Sequence, residues 1–165
     1  MFTKAIAAIL ALPFVAQFAS ANTCTRTYTA QAGDICDSIS AANNVSTYQL
    51  AVVNAGIIDE DCDNLVIGQS YCLGWEGQDC TTTSVVEAND DCDIVSYEAG
   101  INTTILYENN PQINYGCSNI YIGEVLCTAN TVQVPPAPAG STPATTIPAT
   151  ATPANPDGDL PWCDE

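Results

Sequence analysis

The stretch CDNLVIGQSYC, from Cys62 to Cys72, decides the fold because a closely similar stretch occurs again later in the chain. The second version reads CSNIYIGEVLC and runs from Cys117 to Cys127. Both follow the pattern Cys-x-Asn-apolar-x-Ile-Gly-x-x-apolar-Cys, so a cysteine closes each end. Because the residues between the cysteines agree as well, the pattern indicates a duplicated structural unit.

The duplication extends over most of the chain. Eight of the nine cysteines form two sets of four, in which the first two positions shift by 56 residues and the last two by 55. We call residues 22–72 the first repeat, residues 73–79 the connector and residues 80–127 the second repeat. Each repeat is too short to stabilise an apolar core unaided, so four cysteines per repeat predict two disulfides in each.

The N-terminus has the three parts of a secretory signal peptide. They are the basic residue Lys4, an apolar run over residues 5–18, and the small residues at positions 19–21. The run is shorter than the ~20 apolar residues that a membrane span needs. We therefore expect cleavage after Ala21, a mature chain in the extracellular space or the cell wall, and no membrane contact afterwards. Disulfides persist in such an oxidising compartment.

The composition excludes several classes of function. The chain has 19 acidic residues, 2 basic residues and no histidine, which gives a formal net charge of −17. A nucleic-acid surface needs Lys and Arg against the phosphates, so nucleic acid is excluded as a partner. Without histidine, Ser-His-Asp and Cys-His catalytic sites and most zinc sites are excluded too. The sequence predicts no metal, no cofactor and an uncharged partner.

Local signals predict the order strand, helix, helix, strand in each repeat. Residues 25–30 alternate as a strand does, and Asp34 can cap a first helix, as can Asp90 in the second repeat. Residues 46–49 form a capping box for the second helix, and Asn102 caps its equivalent. A last strand ends at the fourth cysteine of each repeat. The apolar residues expected in the core before that cysteine are Leu65, Ile67, Ile120 and Ile122.

This order places the first and fourth cysteines of a repeat on neighbouring strands and leaves the second cysteine near the third. Four cysteines allow three pairings, and the sequence does not decide among them. The pairs that we favour are Cys24–Cys72, Cys36–Cys62, Cys80–Cys127 and Cys92–Cys117.

Three stretches of the first repeat are similar to a known family. YTAQAGDICDSIS (residues 28–40) resembles the opening of lysin-motif (LysM) domains, VSTYQLAVVNAGI (45–57) their second helix, and LVIGQSYC (65–72) their closing strand. The cysteine-bracketed form resembles the LysM domains of secreted fungal proteins, and the resemblance covers residues 24–127. It implies an α+β fold made of two tandem, disulfide-linked βααβ domains.

The resemblance also implies binding of N-acetylglucosamine oligomers, with chitin or chito-oligosaccharides as partners and no catalysis. In the family the sugar lies between the loop after the first strand and the loop after the second helix. Carried over to this chain, the ligand-binding residues are Gly33, Asp34, Ile35, Asn54, Gly56, Ile57 and Ile58 in the first repeat, and Asn89, Asp90, Asp91, Asn110, Pro111, Gln112, Ile113 and Asn114 in the second.

Each repeat departs from the family pattern in one loop. The first has Ile35 where Thr is usual, and Ala55-Gly56 where Pro is common. The second reads Asn-Asp-Asp over residues 89–91, in place of Gly-Asp-Thr. Asn tolerates the left-handed backbone that Gly adopts, so this loop is expected to keep its shape. The paired aspartates add negative charge, which weakens the case for sugar binding in the second repeat.

Features outside the repeat cores carry four further predictions. Trp75 in the connector is expected either to stack on a sugar or to pack between the repeats. Asn44 and Asn102 lie in N-glycosylation sequons. Residues 128–165 are rich in Pro, Thr and Ala, which predicts a disordered, O-glycosylated tail. The odd cysteine, Cys163, would permit a disulfide-linked dimer, besides a dimer bridged by ligand.

The sequence therefore predicts a secreted, non-catalytic protein that binds chitin, coating the wall or sequestering released fragments. One alternative is an acidic structural wall protein without sugar binding. Another is a binding module detached from a chitin-degrading enzyme. Salt separates the first two hypotheses, because an uncharged ligand stays bound in molar salt whereas a basic partner is released.

Overall fold

In the computed structural model, the described part of the chain comprises residues 22–59, 61–141, 143 and 146–155. The predicted signal peptide and Cys163 lie outside these residues. Each repeat forms a two-stranded antiparallel sheet and two short helices. The elements are β1 (Cys24–Thr29), α1 (Cys36–Asn43), α2 (Thr47–Val53) and β2 (Ser70–Trp75) in the first repeat, and β3 (Thr83–Val85), α3 (Cys92–Ala99), α4 (Thr103–Asn109) and β4 (Val125–Cys127) in the second.

Each repeat contains two disulfides within the described residues, and they join equivalent positions in the two repeats. Cys24–Cys72 links β1 to β2, and Cys80–Cys127 links the residues just before β3 to β4. The other two disulfides link the start of the first helix of a repeat to the loop before its last strand. The pairs are the favoured ones, Cys24–Cys72, Cys36–Cys62, Cys80–Cys127 and Cys92–Cys117. No helix within the described residues is long and apolar enough to cross a membrane.

Each repeat buries its own apolar core between the sheet and the helices. The helices have only seven or eight residues. Helices this short are not stable in isolation, so they form because one side of each is buried. The first core contains Ala30, Ile39, Val45, Leu50, Ile58, Tyr71 and Leu73. The second contains Val86, Cys92, Val95, Leu106, Ile113, Ile120, Leu126 and, from far along the chain, Ala154.

The first helix of each repeat begins one residue later than the sequence predicts. Its N-cap is Ile35 in the first repeat and Asp91 in the second. Asp34 and Asp90 therefore do not cap helices, and the prediction that they do is corrected. In contrast, the predicted cap Asn102 accepts a hydrogen bond from a backbone N–H in the first turn of α4.

The capping box predicted at the start of α2 is half formed. Ser46 Oγ accepts a hydrogen bond from the Gln49 N–H at 3.1 Å, as an N-cap should. The Gln49 side chain does not return this bond. Its Nε2 donates to the Leu73 C=O at 2.7 Å and to Asp79 at 2.9 Å, and its Oε1 accepts from the Cys80 N–H at 2.9 Å. Gln49 therefore joins the first repeat to the connector.

A third apolar cluster joins the two repeats. Strand β2 continues past Cys72 to Trp75, so part of the expected connector is strand. Trp75 is half-buried and packs against this cluster, which resolves its two expected roles in favour of packing between the repeats. The buried members of the cluster are Tyr48, Val52, Cys80, Cys127, Ala129 and Val134.

The segment that follows the second repeat packs on the protein. Ala129 and Val134 are buried, the Tyr48 OH donates to the Pro135 C=O at 3.1 Å, and Asn109 Nδ2 donates to the Ala129 C=O at 3.1 Å. The expectation of a disordered tail is corrected for this segment. A Pro-rich chain cannot build a core of its own, but here its few apolar side chains complete a core that the repeats supply.

Candidate functional site

Two loops of the first repeat meet beside its sheet. One covers residues 30–35, after β1, and the other covers residues 54–69, after α2. The Ala30 N–H donates to the Gln69 C=O at 2.9 Å, and the Gly68 N–H donates to the Ala30 C=O at 2.8 Å. These two bonds fix the distance between the loops that the family resemblance assigns to the ligand.

The second repeat holds its loops in the same way. They cover residues 86–91 and 110–124. The Val86 N–H donates to the Glu124 C=O at 2.8 Å, and the Gly123 N–H donates to the Val86 C=O at 2.9 Å. The two candidate sites therefore have equivalent backbones and differ mainly in their side chains.

The turn after the first strand depends on one left-handed residue in each repeat. Gly33 has φ 91° and Asn89 has φ 71°. Both values lie in the region that Gly adopts freely and that Asn tolerates better than other residues. The expectation that Asn89 preserves the shape of the loop is confirmed.

The aspartate after that residue closes the turn. Asp34 Oδ2 accepts hydrogen bonds from the Gln31 N–H at 2.7 Å and from the Tyr28 OH at 2.9 Å. Asp90 Oδ2 accepts the equivalent bond from the Glu87 N–H at 2.8 Å. The hydrogen bond to Asp34 raises the pKa of the Tyr28 phenol, so this hydroxyl remains a donor. Both carboxylates therefore stabilise their own turns by accepting hydrogen bonds from backbone N–H groups.

Asn54 and Asn110, which the resemblance assigns to the ligand site, have buried side chains. Asn54 Nδ2 donates to the Leu50 C=O at 2.8 Å and to the Cys72 C=O at 2.7 Å, while its Oδ1 accepts from the Cys72 N–H at 2.9 Å. Asn110 makes the three equivalent bonds in the second repeat. These side chains hold the second helix against the last strand. Their amide groups are therefore engaged within the protein and are not available to a ligand.

The other predicted site residues divide by exposure. Ile58 and Ile113 belong to the two cores, and Gln112 is buried with its Nε2 donating to Glu124 at 3.0 Å. Asn114 Oδ1 accepts a backbone hydrogen bond within its own loop at 3.0 Å. The half-buried residues are Asp34, Asp90, Asp91 and Asn114, and the exposed ones are Gly33, Ile35, Gly56, Ile57, Asn89 and Pro111.

The two loops of the first repeat expose four large aliphatic side chains. Ile35 is 57% exposed, Ile57 53%, Val66 55% and Ile67 69%. The sequence placed Ile67 in the core and gave Val66 no role. It was wrong about Ile67 because the last strand begins only at Ser70, so strand alternation does not reach this position. We call these four side chains the apolar loop residues.

Three backbone groups beside the apolar loop residues have no hydrogen-bond partner in the part of the chain that the structure describes. Among the described residues, none forms a hydrogen bond with the Gly33 N–H, the Leu65 C=O or the Ile67 N–H. Backbone polar groups in loops are normally paired with protein or solvent. These three groups therefore remain available to a ligand on the first repeat.

The second repeat is more polar and more closed at the equivalent positions. Asp91 stands where the first repeat has Ile35, and Tyr121, which is 8% exposed, stands where it has Val66. Glu124 is 3% exposed and replaces Gln69. Burial raises the pKa of the Glu124 carboxyl to about 7, against hydrogen bonds that lower it.

Polar contacts next to Glu124 connect the two repeats. The Tyr121 OH donates to Asp37 Oδ1 at 3.1 Å, and the Thr47 Oγ1 donates to the same oxygen at 3.0 Å. Thr47 Oγ1 in turn accepts from the Val125 N–H at 3.0 Å. Burial raises the pKa of the Asp37 carboxyl, although both hydrogen bonds oppose this. This network fixes the side of the second repeat that carries Tyr121.

The two predicted glycosylation sites lie at the turns between helices. Asn44 is exposed and ends α1 in a left-handed conformation, with φ 48°. Asn102 is exposed as well, but its Oδ1 accepts from the Ile105 N–H at 2.9 Å. Within the described residues the Asn44 side chain forms no hydrogen bond that a glycan would displace, whereas a glycan on Asn102 would compete with a helix cap.

The fold and the site define a class of small βααβ repeat proteins in which two loops flank each candidate site. The family model of the LysM domain matches residues 28–73, from β1 to β2 of the first repeat. The chain therefore contains a LysM domain in its first repeat.

Several relatives are fungal proteins. The chain is 37% identical over 138 residues to a secreted LysM effector of Pochonia chlamydosporia, a match that covers 81% of this chain and 20% of that protein. It is 30% identical over 128 residues to a non-secreted LysM effector of Penicillium expansum, covering 72% and 10%. It is 25% identical over 107 residues to a probable chitinase of Penicillium expansum, covering 58% and 7%. The chain thus spans a fifth or less of the length of these relatives.

Proposed function

We propose that the chain is a secreted, non-catalytic protein that binds N-acetylglucosamine oligomers, and chitin in particular, through the two loops of the first repeat. One observation carries the proposal: the same loops present four exposed aliphatic side chains and three backbone polar groups that form no hydrogen bond with any described residue. An acetamido sugar matches both. Its amide N–H and C=O need one acceptor and one donor, and its methyl group and ring faces need apolar contact.

The affinity of one such site is expected to be modest. An uncharged hydrogen bond contributes ~0.5–1.5 kcal/mol net, so a few bonds and a small apolar contact give weak binding to a single oligomer. A polymer presents many N-acetylglucosamine units close together, so a protein that dissociates from one unit can rebind at a neighbouring one and remain with the solid. Binding to insoluble chitin is therefore the more sensitive assay.

The proposed location outside the cell rests on two observations. The first 21 residues have the pattern of a signal peptide, and one relative is named as a secreted effector. N-terminal sequencing of protein from the culture medium tests this directly. The expected first residue is Asn22, and a chain that begins at Met1 would contradict secretion by this route.

Co-sedimentation with insoluble chitin tests the binding proposal. We expect the wild-type chain to sediment with chitin and not with cellulose, which lacks the acetamide group. The substitution Ile57→Asp places a charge on an apolar loop residue and should reduce the bound fraction at least about fivefold, because a carboxylate is costly to desolvate. Val132→Asp is the matched control, since Val132 is 54% exposed and lies outside both repeats.

Salt separates sugar binding from the alternative of an acidic wall protein that holds basic partners. We expect the bound fraction to stay unchanged in 1 M NaCl, because no ion pair takes part. Release by salt, or equal loss in Ile57→Asp and Val132→Asp, would contradict the proposal. If salt releases the protein, the high negative charge of the chain would account for its retention.

A second candidate function is that of a binding module within a chitin-degrading enzyme. The observation that favours it is the match to a protein named a probable chitinase, of which this chain covers 7%. The purified chain is expected to release no reducing ends from colloidal chitin. Release that persists in a repurified sample would overturn the non-catalytic assignment.

A further inference from the structure

The chain covers part of the second repeat with its own residues 152–154. The Ile122 N–H donates to the Thr152 C=O at 2.9 Å, and the Ala154 N–H donates to the Ile120 C=O at 3.1 Å. Tyr121 and Pro153 form an antiparallel bridge between these two bonds. A short extended segment therefore lies along the edge of the loop before β4.

Ala154 makes three contacts of different kinds. Its N–H donates to Ile120, its C=O accepts from the Asn89 N–H at 2.8 Å, and its methyl group belongs to the second core at 1% exposure. Asn89 is on the loop after β3, and Ile120 is on the loop after α4. Ala154 therefore sits between the two loops that flank the candidate site of the second repeat.

The three groups of Ala154 are those of an N-acetyl substituent. Both present one amide N–H, one amide C=O and one methyl group within a few bonds of each other. A site that binds an acetamide through a backbone acceptor, a backbone donor and an apolar pocket would bind an alanine residue through the same atoms. The second repeat has such a site, and an alanine occupies it.

The first repeat has the same backbone, and within the described residues no segment covers it. Gly33, Leu65 and Ile67 are equivalent to Asn89, Ile120 and Ile122, and they carry the three unpaired groups described above. The apolar residues around the position are also equivalent, since Ala30, Cys36 and Ile58 match Val86, Cys92 and Ile113. At this position the two repeats therefore share the same three backbone groups and differ in whether residues 152–154 cover them.

We propose that Ala154 is an internal substitute for an N-acetyl group and closes the sugar site of the second repeat, so that the intact chain has one open site. This inference rests on the proposed function of the first repeat. Segment 152–154 is tethered to the repeat that it covers, so it competes at a high effective concentration. The affinity of the second site for sugar falls by the fraction of time that the site is open.

Nuclear magnetic resonance of the full chain during titration with the N-acetylglucosamine tetramer tests the proposal. The backbone amides of Gly33 and Ile67 report on the first site, and those of Asn89 and Ile122 report on the second. In the wild type we expect chemical-shift changes at the first pair alone. In Ala154→Asp, whose charged side chain cannot enter the core, both pairs should respond.

The matched control is Ala149→Asp, because Ala149 is exposed on the same segment. It should behave like the wild type. Hydrogen exchange of the unliganded wild type gives a second measurement that does not depend on a variant. Exchange at Asn89 and Ile122 should be at least about tenfold slower than at Gly33 and Ile67, because only the former pair donates to the covering segment.

The outcomes separate the two proposals. Responses of both pairs in the wild type, or equally fast exchange at all four amides, would overturn the closed second site and leave the proposed function standing. No response at any of the four amides, in either the wild type or Ala154→Asp, would overturn the proposed function and the inference with it. A response at Gly33 and Ile67 only, in both proteins, would also overturn the inference.

Discussion

At the scale of single residues, Glu124 has the least expected environment. It is a carboxyl group at 3% exposure, with hydrogen bonds from Gln112 Nε2 at 3.0 Å and from the Tyr121 N–H at 3.4 Å. Burial raises its pKa to about 7, and the nearby charge of Asp37 acts in the same direction. Its equivalent in the first repeat is Gln69, which has the same shape without the charge.

Glu124 should make the protein less stable as the pH rises. Its pKa in the folded chain, about 7, lies above the ordinary value of 4.5, so its contribution is fully present below about pH 4.5 and is lost as the pH rises through 7. Between pH 5 and pH 8 the loss should be about 2–3 kcal/mol. Glu124→Gln should remove most of this loss. Urea unfolding at the two pH values measures it.

The pH dependence of stability between pH 5 and pH 8 can be assigned to Glu124 with the help of one comparison and one control. Asp79 is also half-buried, and although burial acts to raise its pKa, the hydrogen bonds from Arg26 and Thr25 keep that pKa below the ordinary value. Its contribution is therefore lost only at more acidic pH, below the range compared. Glu87→Gln serves as the control, because Glu87 is exposed in the same repeat. An unchanged pH dependence in Glu124→Gln would contradict the assignment.

At the scale of elements, the residue type tolerated in the turn between the first strand and the first helix is limited by backbone conformation, not by the room for a side chain. A Cβ added at Gly33 would meet no atom within 4 Å, yet the residue has φ 91°. The equivalent turn in the second repeat uses Asn89 at φ 71°. The cost of a substitution at Gly33 should therefore follow the tolerance of each residue type for the left-handed region.

We expect Gly33→Asn to cost less than about 1 kcal/mol and Gly33→Val to cost about 1–2 kcal/mol or more, since β-branched residues rarely adopt positive φ. Urea unfolding compares the two. Chitin sedimentation should be retained in Gly33→Asn, because the backbone N–H is unchanged. Equal stability of the Asn and Val variants would show that the turn does not impose this conformation. Asn89→Gly is the reciprocal control and should be nearly neutral.

At the scale of the whole molecule, the two repeats and the segment after them share one apolar cluster. Tyr48 and Val52 come from the first repeat, Cys127 from the second, and Val134 from the segment beyond it. Gln49 adds two hydrogen bonds to the connector, at Leu73 and Asp79, and one to Cys80 of the second repeat. Repeats with a shared cluster of this kind should not unfold independently.

Val134→Asp should therefore destabilise both repeats together. Val134 is 6% exposed in the shared cluster, and a buried unpaired carboxylate should cost about 2–4 kcal/mol. Hydrogen exchange at the buried amides of Leu50 and Leu106 reports on the two repeats separately. We expect both to accelerate by a similar factor. Acceleration at only one of them would show that the cluster does not couple the repeats, and Val132→Asp should change neither.

The elements could be predicted from the sequence because their signals are local. The strand before Ala30, the cap at Ser46 and the stop at Asn54 all lie within a few residues of the structure that they specify. Asp34 was misassigned because a carboxylate can close a turn or cap a helix at nearly the same spacing. The choice depends on the strand geometry before it, which the local pattern does not encode.

The candidate site was predictable in position but not in composition. The loop at Gly33 was identified, whereas Val66 and Ile67 were not recognised as exposed, because an apolar run before a strand resembles the strand itself. The burial of Ala154 had no sequence signal either. It depends on a contact with Asn89, 65 positions away, within a segment whose composition is typical of disorder.

The environment of Arg26 has a consequence for proteolysis. It is the only Lys or Arg after position 4, so it is the single point beyond that position at which a trypsin-like enzyme can cut. Its guanidinium donates to Asp79 and to the Asn43 C=O, and its strand is paired with β2 and cross-linked through Cys24. A protease needs that side chain in its specificity pocket and the backbone extended in its cleft. Here the side chain is held by hydrogen bonds and the backbone is paired within the sheet, so neither is accessible to the protease. Digestive enzymes of the trypsin class should leave the oxidised protein intact, and reduction of its cystines should expose one cleavage point.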